Sequence, residues 1–106
     1  ASIARLEGWI DQLDEEIIQK LGSRMAISER IGEYKQEHNV AILQPERFDR
    51  IVRRLLSMTT DLKLSPRFIT DLMNAVHEES IRRQRAVPDP DQGIASAGRA
   101  VGAARR

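Results

Sequence analysis

The sequence contains no cysteine, which excludes disulfides and thiolate chemistry, and its two histidines, His38 and His77, are too few to make a metal cluster. Aromatic residues are scarce as well, at 4% of the chain, so any core must be built mainly from Leu, Ile, Val and Met. That is the material of packed helices. An excess of one charge is also missing. With 17 Lys plus Arg against 16 Asp plus Glu the formal net charge is +1, and no global field points to nucleic acid. No apolar run approaches the roughly 20 residues of a membrane span, and the opening ASIARLEGWIDQ has no signal-peptide apolar segment. The expectation is a soluble, cytoplasmic protein with neither membrane nor nucleic-acid partners. Its 106 residues suffice for one small domain whose limited core invites a partner chain. The first residue is Ala1 rather than Met, which fits either a processed chain or a piece of a longer polypeptide.

What is present is helical periodicity. Apolar residues recur from Ile3 through Leu6, Ile10, Leu13, Ile17, Leu21, Met25, Ile27, Ile31 and Tyr34, flanked by Trp9 and Ile18. Spacings of three and four without an intervening proline predict one helix to about Glu37, with His38 and Asn39 as its stop. Such a helix is about 52 Å long, about twice the span of a compact domain of this size, so its stripe needs another chain's helix. An obligate dimer is the expected solution. Gly22 and Gly32 inside it each cost about 1 kcal/mol relative to Ala, which suggests close approach by another element.

A second helix is expected from Pro45, with Phe48, Ile51, Val52, Leu55, Leu56, Met58 and Leu62 as its apolar side and Arg47, Arg50 and Arg54 as a solvated row. Ser65 followed by Pro66 signals a third helix start, and Phe68, Ile69, Leu72, Met73, Val76 and Ile81 carry its apolar face to about Arg85. The predicted class is all-α: a three-helix domain over residues 1–86, then a flexible tail or linker at 87–106, where the periodicity stops.

On the first helix Arg24 and Lys35 are eleven residues apart, close to three turns, so both cations project in nearly the same direction with Ser28 and Ile31 between them. Their Cα atoms would sit about 16 Å apart, leaving room for a small dianion. The plainer reading of the pair alone is an ordinary solvated helix face.

The segments LDEEIIQKLGSRM, IGEYKQEHN, QPER and HEESIRRQ make residues 6 to 85 resemble the all-helical chorismate mutases. QPERFDRIV with EYKQEHN is most similar to the mutase domains fused to 3-deoxy-arabino-heptulosonate 7-phosphate synthases. The resemblance implies an intertwined homodimer of three-helix chains. It also implies the [3,3] rearrangement of chorismate to prephenate in phenylalanine and tyrosine biosynthesis, without cofactor or metal, and a fused or associated aromatic-pathway enzyme as a further partner. By position, Arg24 matches an arginine that holds a substrate carboxylate, and Lys35 a lysine that contacts carboxylate and ether oxygen. Glu46 matches a glutamate that accepts from the ring hydroxyl, Ser80 a serine near a carboxylate, and Gln84 a glutamine that donates to the ether oxygen. Ile31 and Ile81 match apolar pocket positions. Two positions depart from the pattern. Glu7 stands where the family has an arginine that reaches across the dimer, with Arg5 the nearest cation but about 200° away around the helix. Ile42 occupies the position of an acidic residue. The alternatives are an isochorismate pyruvate lyase, which the resemblance places on the same fold and site, or, because of Glu7, a non-catalytic ligand-binding or dimerisation module.

Overall fold

A computed structural model describes residues 2–88 as three helices: α1 (Ile3–Glu37), α2 (Pro45–Leu62) and α3 (Pro66–Arg85). The tail expected at 87–106 lies mostly outside the described residues. Side-chain caps begin the two helices that frame the site: the Ser2 hydroxyl accepts the Arg5 backbone N–H at 3.1 Å, and Ser65 accepts that of Phe68 at 3.1 Å. Pro45 and Pro66 occupy first-turn positions where the missing N–H costs nothing. α1 stops at His38 and Asn39, the latter left-handed at φ 54°, and α2 stops at Lys63, left-handed at φ 57°.

α3 is the element on which the others rest, packing against both α1 and α2, whose backbones do not come together. Buried Met25 of α1 joins Ile69, Met73 and Val76 of α3, and half-buried Phe48, Ile51, Val52, Leu55 and Leu56 close the core from α2. α1 and α3 run in the same direction, since Ser28 meets Ser80, Glu29 meets Arg83 and Gly32 meets Gln84 in turn. This fixes which turns of the two helices share a site.

The molecule is elongated, 60 × 34 × 17 Å, with a radius of gyration of 18.6 Å where a compact domain of this length would have about 13 Å. The cause is α1. Every residue from Ser2 to Lys20 is exposed, including Leu6, Trp9, Ile10, Leu13 and Ile17. No described helix is long and apolar enough to cross a membrane.

Candidate functional site

The site begins with Gly32. A Cβ there would lie 2.8 Å from both the Cα and the carbonyl oxygen of Gln84, so only glycine lets the α1 and α3 backbones approach this closely. Gly22 differs: a Cβ there would meet nothing within 4 Å in this chain, so the expected close approach does not occur at that position among the described residues. One turn beyond Gly32, Lys35 is buried and its Nζ donates to Gln84 Oε1 at 2.9 Å and to the Ile42 carbonyl at 2.8 Å. Ile42 therefore supplies through its backbone an oxygen for the ammonium. Lysine has no acceptor, so Gln84 must present its oxygen to it, which leaves the Gln84 NH₂ group free to donate elsewhere.

Three turns back from Lys35 along α1, the Arg24 guanidinium donates to the Ser80 hydroxyl, which also receives the Ser28 hydroxyl at 3.1 Å and turns its own proton toward Met25 Sδ at 3.6 Å. Ser80 and Ser28 are both buried, so this small network fixes where Arg24 begins and leaves its remaining N–H groups for a ligand. At the solvent edge Arg83 Nε donates to Glu29 Oε1 at 2.6 Å, a clamp between α1 and α3.

Burial pulls the Arg24 guanidinium below its ordinary value, and the charge of Arg47 pulls it further. Burial likewise lowers the Lys35 ammonium. Arg47, expected only as part of a solvated row, therefore stands close enough to Arg24 for the two cations to repel. None of Arg24, Lys35 and Arg47 makes an ion pair within the described residues. Unpaired cations gathered on one seam are costly until an anion shares them. The arrangement can hold a small molecule with two negative groups and offer donors from Lys35 and Gln84 to an oxygen between them.

The structure thus brings Arg24, Lys35, Ser80 and Gln84 together. Ile81 is buried one residue from Ser80, whereas Ile31 remains 43% exposed. Glu46 is exposed in the first turn of α2, next to Arg47, and makes no hydrogen bond or ion pair within the described residues. Glu7 and Arg5 lie on the exposed part of α1, far along the helix from Arg24. Sequence reasoning also missed Ser28 as a ligand of Ser80. The signal was available, because Ser28 is one turn from Arg24 on the same face. No cluster of three His, Asp or Glu among the described residues could hold a metal.

Over residues 6–85 the chain matches the family described as chorismate mutase type II. The chain belongs to that family. This chorismate mutase family member is 29% identical over 96 residues to a 4-amino-4-deoxychorismate mutase of Streptomyces pristinaespiralis, covering 91% of this chain and 70% of the relative. It is 28% identical over 80 residues to a 4-amino-4-deoxychorismate mutase of Streptomyces venezuelae, covering 76% of this chain and 78% of the relative. A bifunctional chorismate mutase/prephenate dehydratase of Aquifex aeolicus is 38% identical over 60 residues, which are 57% of this chain and 17% of that enzyme. No solved structure matches. Membership makes the protein an isomerase of all-α architecture.

Proposed function

We propose that the chain converts chorismate to prephenate at the seam between α1 and α3. The observation that carries this is the buried Lys35 and Gln84 pair, fixed by Gly32 and placed about three turns from Arg24 with no anion of its own. In a [3,3] rearrangement the ether C–O bond breaks as the new C–C bond forms, with no proton transferred and no covalent enzyme intermediate. Catalysis then consists of holding the compact conformer and stabilising charge on the ether oxygen. Lys35 and the Gln84 NH₂ group donate to that oxygen, while Arg24, assisted by Arg47, takes a carboxylate. A second reading, that the ring carries an amine in place of the hydroxyl, is favoured by the Streptomyces relatives. Incubating the purified chain with chorismate and with 4-amino-4-deoxychorismate, and following each rearranged product, separates the two. Faster turnover of the amine would overturn the first reading, and turnover of neither would overturn both.

The active form is a homodimer in this proposal. The exposed stripe of α1 runs into an apolar groove of about 470 Å³ lined by Ile18, Leu21, Gly22, Met25, Leu72 and Val76, and a second copy's α1 supplies a matching stripe of the required length. Melting temperature should therefore rise with protein concentration. A folded monomer in sedimentation at micromolar concentration would contradict this. Relatives fused to a prephenate dehydratase support an aromatic-pathway enzyme as a further partner, covalent or associated.

A further inference from the structure

The seam between α1 and α3 holds two buried serines that helix packing alone does not call for. The hydroxyls of Ser28 and Ser80 meet at 3.1 Å, within reach of Met25 at the edge of the apolar core. Alanine at both positions would fill nearly the same space, favour the two helices slightly and bury no polar group, so a pair of this kind is close to neutral for stability. Its protons point to another use. A hydroxyl oxygen has two lone pairs and one proton. On Ser80 the lone pairs are taken by an N–H of Arg24 and by the Ser28 hydroxyl. Arg24 has no acceptor to offer in return, so the Ser80 proton is left with Met25 Sδ at 3.6 Å, a weak acceptor. A buried donor so poorly matched, bonded to a guanidinium that makes no ion pair among the described residues, is set for an anion.

We propose that Ser28 is a positioning residue for the rearrangement: by giving its proton to the Ser80 oxygen, it keeps Ser80 a donor toward the carboxylate that Arg24 takes. The inference rests on the mutase reading, and it assigns Ser28 no contact with substrate. A carboxylate only accepts, so Ser80 must face it with its proton. Were the bond between the two serines reversed, the Ser80 proton would be spent on Ser28 and a lone pair would meet the anion instead. With both lone pairs filled, the Ser80 hydroxyl has one direction left for its proton, and the rotor is ordered before the ligand arrives, which lowers the ordering cost of binding. Each bond also polarises the next along the chain from Ser28 to Ser80 to carboxylate. Ser28 can do this because it lies one turn after Arg24 on the same face of α1, so the helix presents both side chains to Ser80 together.

The test is a double-mutant cycle in steady-state kinetics on Ser28→Ala, Ser80→Ala and the double variant, using whichever of chorismate and 4-amino-4-deoxychorismate the parent turns over. Ser28→Ala should raise KM about fivefold and leave kcat within about twofold, the pattern of a contact made equally in ground and transition states. The double variant should match Ser80→Ala, because Ser28 acts only through Ser80. Ser28→Cys, of similar size but a weaker donor, should fall between the parent and Ser28→Ala, and it replaces Ser28→Ala in the cycle if that variant does not fold. Parental KM in both Ser28 variants overturns the role of Ser28 while leaving the mutase reading intact. A further rise in KM when Ser28→Ala is added to Ser80→Ala does the same, since Ser28 would then act by another route. A parent that turns over neither substrate overturns both.

Discussion

Replacing Lys35 with alanine should lower kcat/KM by roughly 10²- to 10³-fold, the loss measured when one preorganised donor is removed from a developing oxyanion. The ammonium is already held in place by Gln84 Oε1 and the Ile42 carbonyl, so it does not have to be recruited during the reaction. Its third N–H is the one available to substrate. Gln84→Ala should act in the same direction, and the double variant should lose less than the product of the two, because each residue orients the other. Stability will fall as well, by about 1–3 kcal/mol for the oxygens left unpaired, so turnover must be compared at matched folded fraction. Because burial lowers the Lys35 ammonium, deprotonation should set the alkaline limb of the parental pH profile. Near-parental turnover in Lys35→Ala would remove Lys35 from the chemistry.

Glu7→Arg should raise kcat/KM, with a gain on the order of 1.5 to 3 kcal/mol if it restores a charged hydrogen bond to the partner's substrate. The Ser2 cap holds the first turn of α1 in helical geometry, so Arg5 and Glu7 keep their angular separation of about 200° and cannot both face one neighbour. Removing a carboxylate from the vicinity of a dianion adds to the gain. Measuring Arg5→Ala beside it decides which of the two approaches the site. If neither variant changes kcat/KM, the second carboxylate is held within the chain, and Arg47→Ala becomes the damaging substitution.

The helices were legible because their signals are local. Unbroken spacings of three and four set α1, and proline at Pro45 and after Ser65 marked the other starts. Arg24, Lys35, Ser80 and Gln84 were legible because each pair shares a helix face, and the family resemblance supplied which faces meet. Gly22 and Gly32 could not be told apart, since what separates them is the Gln84 backbone, fifty-two residues from Gly32 and absent from its local sequence. Arg47 read as one of a row of arginines. Its distinction is the nearness of Arg24, which depends on how α2 lies across α3.

That α1 and α2 both rest on α3, and not on each other, has a consequence for synthesis. The helix that completes the core is the third of the described helices to leave the ribosome, so two amphipathic helices are exposed together until residues 66–85 have emerged. Nascent chains stalled before Ile69 lack every buried apolar residue of α3 and remain open to chaperones and proteases. Emergence of the last turns of α3 then completes the core and the α1–α3 seam within one chain.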